Sequence, residues 1–281
     1  MEIAVLLATF NRKEKTLACL RSLYDQQSSW AIKLNVFLTD DCSSDGTTDA
    51  IKKEFPSVKV FNGTGSLFWA GGMRNSWKEA RKTNPDFYLL LNDDTLLENF
   101  ALDKLLSYYN SSESEVPAIC IGSTLDKENR TISYGGQKLV NKHSVQCFNI
   151  YSDDKYVECD MANANIMLVP NKIVKSIGIL SEDYTHSIAD FDYTLRARKA
   201  GFKVIVAPGF IGTCVDDHGK NWKSSNNPLK ERIKYLKSPK GLAYKEYLHF
   251  IKLHFPLHLP AAFIKLWMKT LFPVVWDKLK G

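Results

Sequence analysis

Apolar positions in the first ninety residues alternate between two rhythms. Residues 2–8, 34–39, 58–61 and 87–91 are short hydrophobic runs that predict strands, the last of them buried on both faces. Between them the period lengthens: Leu17, Leu20, Leu23 and Tyr24 fall on one helical face, residues 47–55 predict a short helix, and Trp77, Ala80 and Arg81 share helical spacing within 70–83. Strands separated by helices at this spacing imply right-handed crossovers and an α/β, doubly wound, mostly parallel sheet. From 116 to 157 the pattern shifts to short strands with turn signals at Tyr134-Gly135-Gly136 and Asp153-Asp154, which predicts a meander or hairpin insertion. Helices are then predicted over 171–177 and 190–200, stopped by Gly201, with a strand over 202–207. No internal repeat or low-complexity linker interrupts the chain.

The last fifty residues read differently. Tyr244, Tyr247, Leu248, Ile251 and Phe255 recur at helical spacing, with Lys245, His249 and Lys252 on another face. Pro256 and Pro260 break that helix, and a second one over 261–272 sets Phe263, Ile264, Trp267 and Leu271 against Lys265 and Lys269. Charge marks the same boundary. The chain carries +6, yet residues 230–281 hold eleven Lys/Arg against Glu231, Glu246 and Asp277, a net of +8, which leaves 26 basic against 28 acidic residues before them. Aromatics flanked by lysines suit a helix lying on an anionic membrane surface. A helical pair packed on the body and a homodimer contact are the alternatives, and no recognised nucleic-acid module accompanies the charge.

With 281 residues, 44% hydrophobic and 12% aromatic, the chain has matter for a sizeable core, which excludes disorder as its main state. No run of eighteen apolar residues exists, so an ordinary membrane-spanning helix is excluded. The opening Met1-Glu2-Ile3-Ala4-Val5-Leu6-Leu7 is too short and too acidic for a signal peptide, so a cytoplasmic protein, peripheral on the inner face of the membrane, is expected. Cys19, Cys42, Cys120, Cys147, Cys159 and Cys214 lack zinc-like spacing and read as reduced packing residues.

Candidate chemistry gathers at strand ends. Asp40-Asp41 closes the second strand and Asn92-Asp93-Asp94 follows the run at 87–91, where open parallel sheets bind ligands. Either pair alone reads equally well as helix caps. Together, at one edge, such carboxylates repel unless a cation lies between them, and Mg²⁺ or Mn²⁺ holding a diphosphate satisfies that need. The stretch Asn62-Gly63-Thr64-Gly65-Ser66 through Ala70-Gly71-Gly72-Met73-Arg74 enters a helix and offers close backbone approach at Gly71 and Gly72, with Arg74 in reach of an anion.

Four ordered blocks then resemble the family 2 glycosyltransferases, nucleotide-sugar-dependent enzymes with a GT-A fold. They are Ala8-Thr9-Phe10-Asn11-Arg12, Asp40-Asp41-Cys42-Ser43-Ser44-Asp45-Gly46-Thr47, Leu91-Asn92-Asp93-Asp94-Thr95, and a helix beginning Ala189-Asp190-Phe191-Asp192, with residues 162–169 resembling the acceptor-side strand. The resemblance implies a transferase domain over 1–229, its halves 1–115 and 116–229 binding nucleotide and acceptor, with 230–281 a basic helical extension. It implies that Thr9, Asn11, Arg12, Asp40, Asn92 and Asp93 line the donor site, that Asp94 and His218 hold the metal, and that Asp190 is the general base. Asn92 stands where the family's first aspartate is usual, and Ala189 where a Glu usually precedes the base.

The implied reaction is metal-dependent and inverting: a hexosyl or deoxyhexosyl unit passes from a UDP- or dTDP-linked donor to a glycan or lipid-linked acceptor in surface polysaccharide synthesis. Blocks 92–95 and 69–72 resemble rhamnosyltransferase-like members. A sugar nucleotidyltransferase would need a Gly-rich loop after the first strand, and Ala8-Thr9-Phe10-Asn11-Arg12 has no glycine. A non-catalytic nucleotide-sugar scaffold is the remaining alternative.

Overall fold

Alternation within the first strand sets the layers. In β1 (Glu2–Thr9), Ile3, Val5 and Leu7 pack into one core while Ala4 and Leu6 pack into another, and all five are fully buried. The structure is a computed structural model that describes residues 1–110, 116–141, 143, 145–216 and 224–280. The first half continues with α1 (Lys13–Tyr24), β2 (Lys33–Asp40), α2 (Thr47–Glu54), β3 (Lys59–Asn62), α3 (Phe68–Ala80), β4 (Phe87–Leu91), β5 (Leu96–Leu97) and α4 (Ala101–Ser107). Then come β6 (Ala118–Asp126), β7 (Thr131–Tyr134), β8 (Gly136–Leu139), β9 (Cys147–Asn149), β10 (Val157–Glu158), β11 (Met161–Ala162), β12 (Ile166–Pro170), α5 (Asn171–Ile177), α6 (Ala189–Lys199) and β13 (Lys203–Thr213). Four helices end the chain: α7 (Leu229–Lys237), α8 (Tyr244–His254), α9 (Leu259–Leu271) and α10 (Pro273–Lys280).

The main sheet runs β10-β13-β6-β12-β4-β1-β2-β3, with β5 and β7 added at one end. Strands β3, β2, β1 and β4 are parallel, as the alternating pattern predicts, and β12 then enters antiparallel between β4 and β6. Residues 116–157 are more than an insertion. Their first strand, β6, is a buried member of the main sheet, antiparallel to β12 and parallel to β13, and only β8 and β9 leave it for a separate small sheet, in which β8 pairs with both β9 and β11. Because β6 and β13 both run with β4, the ends of β1, β2, β4, β6 and β13 and the beginning of β12 share one edge.

Helices α1, α2 and α4 cover one face, and α3 and α6 the other. The second core is centred on Trp77, whose ring tilts against Tyr88 and Tyr193 at centroid distances of 5.7 and 5.2 Å. The terminal helices belong to this core. Phe250, Ile251, Phe255 and Ala262 are buried in it, and His254 Nε2 donates to Asp192 Oδ1 at 2.8 Å. The basic extension is therefore packed on the body along α8. No helix among the described residues is long and apolar enough to cross a membrane. Four of the six cysteines are buried, Cys42 and Cys147 are exposed, and all are free thiols.

Candidate active site

Three loops leave the shared edge and are tied to each other by side chains. Asn11 adopts a left-handed conformation (φ 52°) that turns its amide toward the loop after β2. Asn11 N donates to Ser43 Oγ at 2.8 Å, and Asn11 Oδ1 accepts from Ser44 N at 2.7 Å. Lys13 N donates to Asp45 Oδ2 at 3.0 Å, so the loop after β1 is fixed to the loop after β2 twice over. Asp40 lies beneath that second loop, accepting from Ser43 N at 2.8 Å and from the Thr48 hydroxyl.

The block after β4 lies against the first loop. Arg12 Nη1 donates to Asp93 Oδ1 at 3.2 Å and to Asp94 Oδ2 at 2.7 Å, so a guanidinium takes the bridging position that adjacent carboxylates require of a cation. Thr16 joins Thr9 Oγ1 at 2.9 Å to the same group, reaching Asp93 Oδ2 at 3.4 Å. Burial pushes the Asp93 carboxyl up to about 6; Arg12 and Thr9 oppose the rise and the Asp94 charge adds to it. Asn92 Oδ1 accepts from Trp69 Nε1 at 2.7 Å, so the asparagine at this position orients an aromatic ring over the edge. Cys214, at the end of β13, completes the rim with its thiol 3.7 Å from Asp94 Oδ1.

Asp41 does work that the sequence pattern assigned to a ligand. Its Oδ1 accepts from Thr64 N and Gly65 N at 3.1 and 2.7 Å, and its Oδ2 from Leu67 N and Phe68 N at 2.8 and 3.1 Å. These are the amides of the glycine-rich turn and of the α3 N-terminus, and the anion they bind is the chain's own carboxylate. A Cβ at Gly63 would meet Asp41 Oδ1 at 2.5 Å, which fixes glycine there. At Gly72 a Cβ would lie 2.7 Å from Ala8 Cβ, so the glycine lets α3 pack on β1. Gly71 is buried in the same helix, and Arg74 Nη1 is committed to the carbonyls of Ser181 and Tyr184 at 2.7 Å each. Gly71, Gly72 and Arg74 thus pack α3 and secure the 181–184 loop. Asp41→Ala should lower the unfolding free energy by about 3 kcal/mol or more, because four amides lose their acceptor at a buried site. Chemical denaturation measures this, and an unchanged midpoint would contradict the assignment.

Asp190 lies across the edge, in the first turn of α6. The residue before the helix is Ile188 in a left-handed conformation (φ 73°), without a side-chain cap, so Asp190 is one position inside the helix and is not its cap. Asp190 Oδ1 accepts from Phe191 N at 2.9 Å, and Oδ2 accepts from Ala164 N at 3.1 Å in the loop leading into β12. Burial raises its carboxyl to about 6, against the lowering effect of Phe191, Ala164 and the Asn163 side chain. Asp192 points inward. It is fully buried with Arg196 Nε at 2.8 Å and His254 Nε2 at 2.8 Å; burial alone would raise its pKa, and these two partners together hold it below the usual range.

His218, the expected second metal ligand, lies outside the described residues. Asp216, the last residue described before that segment, donates its N–H to Asp126 Oδ2 at 3.2 Å. Among the described residues no group of three or more His, Cys, Asp or Glu side chains could hold a metal ion. A cation held by one protein carboxylate and otherwise by phosphate oxygens still fits here. Among the described residues Asp94 Oδ1 meets the weakly interacting Cys214 sulfur at 3.7 Å, while Oδ2 accepts from Arg12 Nη1 at 2.7 Å.

The carboxylate pair Asp93–Asp94 and the further carboxylate Asp190, beside the antiparallel strand β12, thus share one edge of an α/β sheet. The profile of the family described as "Glycosyltransferase like family 2" matches residues 2–232, and the chain belongs to that family. No curated protein is significantly similar in sequence. Among solved structures, S. aureus TarS 1–349, in complex with UDP, is 17% identical with a TM-score of 0.54, the match covering 76% of this chain and 60% of that one. The mannosyltransferase PcManGT from Pyrobaculum calidifontis, in complex with GDP-Man and Mn²⁺, is 15% identical with a TM-score of 0.54, covering 99% of this chain and 79% of that one. The chain spans three-fifths of the TarS fragment. At these identities the likeness establishes the shared fold.

Proposed function

We propose that this chain is an inverting glycosyltransferase that moves a hexosyl or deoxyhexosyl unit from a UDP- or dTDP-linked donor to a hydroxyl of a glycan or lipid-linked glycan in surface polysaccharide synthesis. One observation carries the reading: Asp190, with its carboxyl raised to about 6, stands at the same sheet edge as Asp93 and Asp94. Nucleotide complexes of TarS and PcManGT support a nucleotide-linked donor, and the Mn²⁺ in the latter supports a divalent cation.

In this reading Thr9, Asn11 and Asp40 shape the nucleoside end of the donor site through the loops they fix. Arg12 is the mobile cation of the site, neutralising Asp93 and Asp94 before the donor arrives and able to turn toward its phosphates. Asp94, with His218, would hold Mg²⁺ or Mn²⁺, and the bound cation would supply positive charge against the leaving diphosphate. Asp190 takes the proton of the acceptor hydroxyl as that oxygen bonds to the anomeric carbon. The bond to the nucleoside diphosphate breaks on the opposite face, so one displacement inverts the centre. Trp69, oriented by Asn92, presents a ring edge to the sugar.

The test is a panel of nucleotide sugars screened by calorimetry with and without Mn²⁺. Donor binding should need the metal, and Asp94→Ala should abolish that dependence. Equal Mn²⁺-dependent affinity in Asp94→Ala would remove Asp94 from the metal. Donor binding without turnover of any acceptor would favour the scaffold reading.

A further inference from the structure

The terminal helices present one face to the body and leave another uncovered. On α9, the row Ala262, Leu266 and Thr270 is buried, while Phe263 and Ile264 beside it are 47% and 58% exposed. Among the described residues, eight of the seventeen exposed large apolar side chains fall between 253 and 275, including Leu257 at 83%. Such a concentration in a tenth of the chain exceeds the scatter expected of an ordinary surface. A groove of about 640 Å³ opens between α8 and α9, lined by Leu248, Leu259, Lys245 and Lys252 and bordered by the exposed Phe263 and Ile264.

Charge selects the occupant. Residues 230–281 carry a net of +8, and of their three acids Glu246 is turned to the body, accepting from Thr185 N at 3.0 Å. Two such segments repel each other, which disfavours a second copy of the chain on this face. Acidic lipid headgroups complement the lysines, and the acyl boundary beneath them accepts the apolar side chains. We propose that the α8–α9 groove and the exposed row beside it dock the protein on an acidic lipid bilayer, with Phe263 and Ile264 entering the interfacial zone and Lys245 and Lys252 meeting lipid phosphates. This goes beyond the transferase reading and does not rest on it.

The test is co-sedimentation of the full chain with phosphatidylcholine–phosphatidylglycerol vesicles and with pure phosphatidylcholine vesicles. Strong binding to the acidic vesicles alone is expected, weakened by salt. The pairs Phe263→Asp with Ile264→Asp, and Lys245→Glu with Lys252→Glu, should each reduce it about tenfold or more. All four side chains are at the surface or line the groove, so unfolding temperatures should be unchanged. Equal binding to both vesicle types, binding unaffected by either pair, or no vesicle binding would overturn the proposal. A dimer in sedimentation velocity that Phe263→Asp with Ile264→Asp dissociates, without vesicle binding, would assign the face to a second copy instead. Loss of transferase activity alone leaves these readouts unchanged, so the two proposals fail separately.

Discussion

Asp190→Asn should lower sugar transfer by ~10²–10⁴-fold, roughly 3–5 kcal/mol of barrier, while nucleotide binding persists. The structure makes the substitution less innocent than its shape suggests. Both carboxylate oxygens accept backbone N–H groups, from Phe191 and Ala164, so an asparagine must set its amide donors against one of them. That mismatch costs about 1–3 kcal/mol of stability, and melting curves should be recorded beside the rates. A lower melting temperature alone does not account for a hundredfold slower rate measured on folded, donor-binding enzyme. The pH dependence separates the roles further. For a base titrating at about 6, wild-type kcat/KM should rise through that pH and level above it, and the residual activity of the variant should lack this limb. Stability should move the opposite way. With the folded carboxyl at about 6 and the ordinary value at 3.8, the folded state holds a proton that the unfolded chain has lost between those values. Stability from this group therefore falls as pH rises from about 4 to 6, and the variant should not show that share of the fall. A full rate with intact donor affinity would move the base elsewhere.

Removing the chain after Leu229 should destabilise the whole protein rather than release a soluble body, and His254→Ala should reproduce much of the effect. His254 donates from α8 into the buried pair Asp192–Arg196, and its side chain is only 1% exposed. Without it, the Asp192 carboxylate keeps Arg196 and the distant Tyr184 hydroxyl at 3.4 Å, and its charge is left poorly compensated in the core. Breaking a buried pair in this way costs about 3–5 kcal/mol. For a chain of this size that is roughly 10 °C in melting temperature. Truncation adds the loss of Phe250, Ile251 and Phe255 from the core, about 1.5–3 kcal/mol for each large side chain returned to water. Differential scanning calorimetry checks both variants. A truncated chain that melts as the full one does would show that 230–281 is a separable extension.

Much of the fold of residues 1–115 was legible because its signals are local. Continuous apolar runs mark β1, β2 and β4, and dense turn formers mark the loops after them, so the strand ends that carry Thr9, Asp40 and Asn92 could be placed from spacing alone. Pairing between distant segments leaves no such mark. The apolar run of β6 reads as one more short strand of a hairpin region, and only its register with β12 and β13 places it in the main sheet. The same reason hid the roles of Asp41 and His254. Two adjacent aspartates look alike in sequence, and the four amides that distinguish Asp41 lie 23 to 27 residues further on. His254 lies on the polar side of an amphipathic pattern, and its partner is 62 residues away. Helices α4, α7 and α10 are short elements whose patterns are too brief to stand out from the flanking loops.

The central claim is that a nucleotide sugar binds where the ends of β1, β2 and β4 meet. Hydrogen exchange of the full chain, with and without a saturating nucleoside diphosphate and Mn²⁺, tests it most directly. The amides of residues 9–13, 40–48 and 92–96 should slow together, and Asp94→Ala should remove that protection. Protection confined to α8 and α9, or none at the three loops with any nucleotide that binds, would contradict the claim.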